Sequence, residues 1–350
     1  MNQMSPALQP KVIPDHPPAF PDQRVWDVYL APYQMASLAA ANELRLFDRL
    51  AGRPATDAEI AADLSLEIET LKAFLPILAA LGFLSVRDGR YAPTTLARTY
   101  LLTDSPYYWG HAFAVHAGAS VTQQVLTALR QSERDKETTG AAQGWESGSV
   151  DDAMGAMIAQ FMNSHSVPSS LAIARNPRLA SIRHLLDVGG GSGCFSIAFA
   201  RANPGLRATI MELEAMCRMA RLYIDGSGIG DRVDTRAVDM FRQEWPTGHD
   251  AVFFANVFHD WSYETNRELA AKAWATLPSG GSVLLHEMLI DDDGSGPLHP
   301  ACFSMMMRVG TRGRQYSGRE LTELLESVGF ADVEIEESYG YYSLVSARKP

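Results

Sequence analysis

The stretch Leu185-Leu186-Asp187-Val188-Gly189-Gly190-Gly191-Ser192-Gly193 decides the fold of this chain. A short apolar run that ends near an acid is followed by glycines at alternate positions, which predicts a strand, a tight turn and then a helix. The N-terminus of such a helix offers free N–H groups and a positive dipole end to a ligand. A dinucleotide loop has the spacing G-x-G-x-x-G, but here the third glycine comes one residue earlier, at Gly193 rather than at Cys194.

The spacing D-x-G-x-G-x-G resembles the loop that binds S-adenosylmethionine (SAM) in class I methyltransferases. The resemblance implies that Asp187, Gly189, Gly191 and Gly193 belong to a SAM site. Asp187 is expected either to contact the methionine amino group or to order the loop.

Two further stretches fall where predicted strands end, and open α/β sheets bind their ligands at those ends. Glu212 ends one strand, and its carboxylate can accept hydrogen bonds from both ribose hydroxyls. Asp239 and Met240 follow the next strand, where Asp239 is predicted to accept from the adenine amino group while Met240 covers the ring. The alternatives are a Glu212 that only starts a helix and an Asp239 that only shapes a turn.

Length, charge and cysteine usage bound the class of protein. The 350 residues suffice for two domains, and a formal net charge of −11 argues against nucleic-acid binding. We expect no membrane span, because no apolar run approaches the roughly 18 residues that a span needs, and no secretory signal, because the N-terminus lacks a basic end followed by an apolar core. The three cysteines form no C-x-x-C pair, which excludes a zinc ribbon and favours the cytoplasm.

The chain divides into four predicted parts. Residues 1–24 are expected to be an extended or disordered arm, since six prolines fall in the first 21 positions. Residues 25–105 predict helices and a strand–turn–strand, the winged-helix pattern, and residues 106–177 a helical linker that forms the substrate pocket, broken by a polar loop from Ser132 to Val150. Residues 178–350 alternate strands and helices, which predicts an α/β, doubly wound, mostly parallel sheet of seven strands that binds SAM.

Winged helices often bind DNA, but the charges of this one argue against that function. Residues 42–105 contain seven Lys and Arg against nine Asp and Glu, and the helix that would enter the groove has Glu67, Glu69 and a single Lys72. A DNA-binding surface needs an excess of basic residues. The apolar helix surfaces favour dimerisation instead.

Together with His259-Asp260-Trp261 and Gly329-Phe330, these motifs are similar to those of the caffeate/hydroxyneurosporene type of SAM-dependent O-methyltransferase, over residues 25 to 348. The resemblance implies a small-molecule acceptor, a homodimer joined through the N-terminal domain, and His259 as a general base held by two Glu residues. Glu287 matches the first of these. The second falls at Gln315, which cannot carry the charge that stabilises an imidazolium.

His299 and Arg130 are two further departures from the family pattern. His299 follows the fifth predicted strand, at the same sheet edge as His259 and Asp260, and two imidazoles with one carboxylate form a ligand set of non-haem iron. Arg130 lies on an otherwise apolar helix, where a guanidinium can hold a carboxylate through a bidentate fork. The alternatives are an exposed cap for His299 and a surface position for Arg130.

These departures resemble a branch of the family, the iron-dependent 2-oxo acid C-methyltransferases of the phenylpyruvate type. The resemblance implies iron, or alternatively zinc, on His259, Asp260 and His299, with Arg130 on the substrate carboxylate. Our leading hypothesis is therefore C-methylation at C3 of a 2-oxo acid through a metal-bound enolate. The alternative is O-methylation of a phenol or other hydroxyl with His259 as the base. In either case the catalytic candidates are His259, Asp260 and Glu287.

The remaining substrate contacts rest on weaker signals. Trp109, Met162, Phe303 and Met306 are predicted to line the acceptor pocket, although apolar residues at helical spacing more often belong to the core. His165 is either a pocket residue or a structural one.

Overall fold

The computed structural model describes residues 12–132 and 141–350, and its first part is helical and closes with a β-hairpin. Its elements are α1 (Gln23–Glu43), α2 (Leu46–Gly52), α3 (Asp57–Leu64), α4 (Ile68–Ala80), β1 (Leu84–Arg87), β2 (Arg90–Pro93) and α5 (Thr95–Tyr100). A capping box starts α3, because Thr56 Oγ1 accepts from the Glu59 N–H while Glu59 accepts from the Thr56 N–H. Residues 12–21, in the predicted arm, form neither helix nor strand.

Four helices lead from this part to the sheet: α6 (Gly110–Ala114), α7 (Ser120–Arg130), α8 (Ala141–Ser147) and α9 (Asp152–Ile173). Helix α8 corrects the prediction of an unbroken polar loop from Ser132 to Val150. Its Ala-Ala-Gln-Gly-Trp-Glu sequence contains good helix formers, which the polar composition of the neighbouring segment obscured. Residues 133–140 of that predicted loop lie outside the described residues.

A seven-stranded sheet with helices on both faces forms the rest of the chain. The elements are β3 (His184–Val188), α10 (Cys194–Ala202), β4 (Arg207–Glu212), α11 (Glu214–Ser227), β5 (Val233–Ala237), β6 (Ala251–Ala255), α12 (Tyr263–Thr276), β7 (Ser282–Met288), α13 (Leu298–Gly310), α14 (Gly318–Ser327), β8 (Ala331–Tyr339) and β9 (Tyr342–Arg348). The strand order is β5-β4-β3-β6-β7-β9-β8, with β9 antiparallel to both neighbours and the others parallel. The predicted fold class is confirmed.

Helix α13 joins the sheet to the N-terminal helices. Its Phe303 and Met305 belong to the same apolar core as Leu30 of α1 and Phe74 of α4. At its C-terminal end the buried Arg308 pairs with Glu67 Oε2 at 3.1 Å. Helices from distant parts of the chain therefore pack together beside β7 and β9.

No helix within residues 12–132 and 141–350 combines the length and the apolar character that crossing a membrane requires.

Candidate active site

The glycine loop forms the turn between β3 and α10. Gly189, Gly191 and Gly193 have φ values of 67°, 56° and 79°, in the left-handed region that glycine adopts without strain. A Cβ atom on Gly193 would lie 2.5 Å from Ile210 Cδ1, so a larger residue there would force the Ile210 side chain to shift. The sequence pattern is thus explained by backbone conformation and by close packing together.

Asp187 is a buried carboxylate at the end of β3. Its Oδ2 accepts a hydrogen bond of 2.6 Å from Ser196 Oγ, which orders the loop against α10. Its Oδ1 has no partner among the described residues, and burial raises the pKa of Asp187 to about 6. An unpartnered buried carboxylate oxygen fits a cationic group such as the ammonium of a methionine moiety.

Glu212 ends β4 beside this loop. Its Oε2 accepts from the Leu213 N–H at 2.6 Å. Burial raises the pKa of Glu212 to about 7, against a lowering by backbone N–H groups of Leu213 and Gly191. A carboxylate of this kind, with accepting capacity left, fits the ribose hydroxyls of the cofactor.

Asp239 shapes its own turn after β5. Its Oδ1 accepts from the N–H groups of Phe241 and Arg242, and its Oδ2 pairs with the Arg242 guanidinium at 2.5 Å. Its contact with the adenine amino group stays a prediction, because both oxygens already have partners. Met240 lines the cleft next to it.

These elements enclose a cleft of about 540 Å³ above the ends of β5, β4, β3 and β6. Its lining includes Trp145, Met162, Gly189, Glu212, Met240, Asn256, Asp260 and Trp261. This volume includes the open solvent at the mouth of the cleft. The sequence analysis did not identify two of these lining residues. Trp145 lies on α8, inside the segment predicted to be a loop, and Asn256 belongs to none of the motifs.

His259 lies in a short 3-10 turn, Phe258–Asp260, directly after β6. Glu287 of β7 positions this turn, since its Oε1 accepts from the N–H groups of Val257 and Phe258 at 2.9 Å each. Asn266 of α12 donates to the Phe258 carbonyl at 2.7 Å. The turn is therefore fixed from two sides before the imidazole makes any contact.

The imidazole of His259 is held by Glu287 and Gln315. Its Nδ1 lies 3.0 Å from Glu287 Oε2 and 3.1 Å from the Gln315 amide nitrogen. A carboxylate only accepts and an amide nitrogen only donates, so the ring pairs with Glu287 when Nδ1 carries a proton and with Gln315 when it does not. Asp260 Oδ1 is 3.9 Å from Nε2, which is longer than a hydrogen bond. Gln315 thus lies where the family resemblance placed the second Glu.

Burial and the neighbouring charges shift the pKa of His259 in opposite directions, and burial and the charge of His259 do the same for Asp260. Burial lowers the pKa of His259, but the carboxylates of Glu287 and Asp260 more than offset it, so the pKa is raised above its usual value of 6.5. Burial raises the pKa of Asp260 to about 7, against the opposing charge of His259. The site therefore favours an imidazolium once a proton has been taken up.

The predicted metal ligands do not come together. His299 Nε2 lies 3.0 Å from Asp27 Oδ1 of α1, and its ring stacks on Tyr341 with the centroids 4.9 Å apart. Within residues 12–132 and 141–350, no three His, Cys, Asp or Glu side chains are grouped as metal ligands. His299 follows the correct strand, but α13 begins at Leu298 and directs it to α1. The set of His259, Asp260 and His299 does not fit a metal.

Arg130 and Trp109 are not among the residues that line the cleft. Arg130 is exposed in the last turn of the amphipathic helix α7, whose buried side includes Val125, Leu126 and Leu129. Trp109 is 58% exposed at the start of α6. The apolar neighbours of Arg130 in sequence belong to the opposite side of its helix, and the substrate contacts of Arg130 and Trp109 stay predictions.

Phe303, Met162 and Met306 lie nearer to the site. The Phe303 ring packs edge-on against His259, with the centroids 5.1 Å apart, and Met162 lines the cleft. Met306 is partly buried against the core that α13 shares with the N-terminal helices. Trp26 of α1 packs against Phe303 at 5.2 Å and against His165 of α9 at 5.5 Å. Sequence reasoning missed Trp26, because only the folded chain brings α1 to α13.

His165 is a neutral member of this aromatic group. Burial, and to a lesser degree the charge on His259, lowers the pKa of His165 to about 4. We call the group of Trp26, His165, His259 and Phe303 the aromatic cluster. Its two imidazoles differ, because the pKa of His165 is lowered whereas that of His259 is raised.

Family models match most of the chain. The O-methyltransferase domain matches residues 123–331, and the O-methyltransferase dimerisation domain matches residues 26–103. The chain belongs to the O-methyltransferase family. It is a SAM-dependent methyltransferase, and its dimerisation domain supports a homodimer. The iron-dependent branch is not supported by these matches.

The names of two relatives specify different methylated atoms, an oxygen in one and a carbon in the other. The chain is 34% identical to a 3-hydroxy-5-methyl-1-naphthoate 3-O-methyltransferase of Streptomyces sahachiroi, over 86% of this chain and 87% of that protein. It is 30% identical to an L-tyrosine C(3)-methyltransferase of Streptomyces lavendulae, over 84% and 82% respectively. The fold matches a crystal structure of an O-methyltransferase family 2 protein from Planctomyces limnophilus, with a TM-score of 0.87 at 24% identity, over 97% of this chain and all of that one.

Proposed function

We propose that this protein transfers a methyl group from SAM to a hydroxyl oxygen of a small aromatic molecule, with His259 as the general base. The contact between His259 Nδ1 and Glu287 Oε2, at 3.0 Å, carries the proposal. When Nδ1 carries its proton toward Glu287, Nε2 is the nitrogen that takes a proton from the acceptor. The naphthoate O-methyltransferase relative supports the same reaction class.

The electrostatics of the site suit a phenolic acceptor. A free phenol has a pKa of about 10, far above that of an ordinary imidazole. Glu287 and Asp260 raise the pKa of His259 and so narrow this gap. The cofactor supplies, when bound, a methyl group on a positively charged sulfur. Asp187 and Glu212 would hold its amino and ribose groups, and Met240 its adenine ring.

The surroundings of His259 favour an aromatic acceptor. The ring of Phe303, on α13, packs against His259, and the ring of Trp26, on α1, packs against Phe303. Aromatic pairs gain from offset or edge-to-face packing beyond their burial. The 2-oxo acid hypothesis depended on Arg130 and His299, and neither side chain lies in this environment.

The test is methyl transfer from ¹³C-methyl-labelled SAM to panels of phenols, naphthols and 2-oxo acids, with the product methyl located by NMR. We expect a methyl ether that forms equally well with a chelator present. His259→Gln is expected to lower kcat by about 10²- to 10⁴-fold. His184→Gln, a matched change at the exposed start of β3, should leave kcat unchanged.

Two results would contradict the proposal. Methylation at C3 of a 2-oxo acid that is lost with the chelator would restore the metal-enolate hypothesis. A methyl group on a ring carbon beside the phenol would keep His259 as the base but change the attacking atom from oxygen to carbon.

A further inference from the structure

Strand order separates the cofactor side of the sheet from the acceptor side. The cleft lies over the ends of β5, β4, β3 and β6, while β7 and β9 continue the sheet on the other side of β6. Asn256 follows β6 directly and lines the cleft, and Tyr342 begins β9 opposite Met288 at the end of β7. Asn256 therefore lies at the edge of the cofactor cleft, and Tyr342 lies two strands further along the sheet.

Both side chains carry buried polar atoms without partners. Asn256 is 4% exposed and Tyr342 is 2% exposed. Neither amide atom of Asn256 nor the Tyr342 hydroxyl forms a hydrogen bond within the described parts of the chain. A polar group that is buried and left unpaired destabilises the fold unless a ligand satisfies it. Asn256 also holds a positive φ of 55°, a conformation that tends to persist at functional sites.

Rigid neighbours set the position of the Tyr342 hydroxyl. The ring stacks on His286, with the centroids 4.7 Å apart and the planes 12° from parallel, and meets the edge of Trp26 at 6.5 Å. Ser338 lies 3.1 Å from His286 Nε2 and donates to the Tyr342 carbonyl at 3.0 Å. Trp26 also packs against Phe303 of the aromatic cluster, so Tyr342 borders the environment of His259.

The charge around the pair indicates which group it would bind. Burial raises the pKa of Tyr342, as does the nearby carboxylate of Glu287, while the Asn256 side chain lowers it by approaching the hydroxyl, although without the geometry of a full hydrogen bond. Tyr342 is therefore a neutral hydrogen-bond donor at neutral pH, and Asn256 adds an amide donor. A second carboxylate close to Glu287 would be repelled, whereas a neutral oxygen would satisfy both donors.

We infer that Asn256 and Tyr342 form a polar subsite for a second, neutral oxygen substituent of the acceptor, a hydroxyl or a carbonyl, apart from the hydroxyl that is methylated. The inference rests on the proposed function. It narrows the acceptor from a phenol to an aromatic compound with two oxygen substituents.

The test measures binding, so that its result does not depend on turnover. Calorimetry on the protein saturated with S-adenosylhomocysteine compares 2-naphthol with a set of dihydroxynaphthalenes. At least one diol should bind about 10-fold more tightly than 2-naphthol, and Tyr342→Phe, which removes a single oxygen atom, should abolish that difference. The affinity for 2-naphthol should change less than 2-fold. Tyr339→Phe, the matched change on β8, should leave every affinity unchanged.

A second variant guards against a purely structural effect. Asn256→Asp keeps the shape and tolerates the positive φ, but removes the amide donor. It should weaken the same diol about 10-fold and leave the affinity for 2-naphthol within 2-fold. Equal weakening of diol and 2-naphthol would overturn the inference, and so would a loss confined to SAM or a wild-type protein that prefers no diol. A failure to methylate any bound phenol would contradict only the proposed function.

Discussion

The cofactor side and the acceptor side of this sheet are built in different ways. On the cofactor side, Asp187, the glycine loop and Glu212 lie at strand ends or directly after them, within 26 residues of one another, so each is positioned by its own local turn. On the acceptor side, His259 meets Glu287, Gln315 and Phe303, and Trp26 arrives from the first helix. Local turns preserve the geometry of a common cofactor, while long-range packing leaves the acceptor pocket open to variation.

Glu287→Gln tests the acceptor side most severely. The variant keeps the shape but removes the charge that stabilises the imidazolium, so kcat should fall by about 10²-fold or more. Glu287 raises the pKa of His259, and therefore the acid limb of the kcat profile should move to lower pH in the variant. The profile of kcat from pH 5 to 10 is the measurement. An unchanged limb with normal activity would remove His259 as the base.

Arg308→Met tests whether long-range contacts hold the acceptor side together. Arg308 is 1% exposed, pairs with Glu67, and donates to Thr70 Oγ1 of α4 at 3.1 Å. Removing one partner leaves a buried carboxylate, which should cost about 3–5 kcal/mol in the free energy of unfolding. Urea denaturation measures this, and Arg24→Met, at an exposed ion pair, is the control with an expected change below about 1 kcal/mol. A loss as small as that of the control would mean that Arg308 does not anchor α13.

Glu212→Gln tests the cofactor side, where function and stability should conflict. SAM affinity should fall about 10- to 100-fold, because a ribose partner is weakened. The folded pKa of Glu212, about 7, lies above its unfolded value, so the contribution of this group to stability is fully present at low pH and is lost as pH rises toward and through 7. Without cofactor, the variant should therefore be more stable than the wild type at pH 8, by about 1–2 kcal/mol. Thermal denaturation at pH 5 and pH 8 checks the sign.

The same contrast explains how much could be predicted from the sequence. The glycine spacing, Glu212 and the His259–Glu287 relation follow from strand ends, whose position a sequence pattern locates well. His299 also follows a strand, yet α13 starts one residue earlier and brings it to Asp27, 272 positions away in the chain. Arg130 is one of several exposed residues of the amphipathic α7, and its contact with a substrate stays a prediction. Trp26 and Tyr342 could not be found, because only tertiary packing brings α1 and β9 to His259.

Gln315→Glu gives the smallest expected effect and the finest test of the comparison. It places a second carboxylate beside His259 Nδ1 and should raise the pKa of His259 further. Since catalysis needs the unprotonated ring, the acid limb of kcat should move to higher pH by about one unit, opposite to Glu287→Gln, with a modest loss at pH 7. A folded-state pKa raised in this way contributes stability below the unfolded value near 6.5, and that contribution is lost as pH rises through the folded pKa. The variant should therefore lose stability relative to the wild type between pH 6 and pH 9. A limb that does not move would show that the new carboxyl takes up a proton itself, and that one charge, on Glu287, is all that this pocket stabilises.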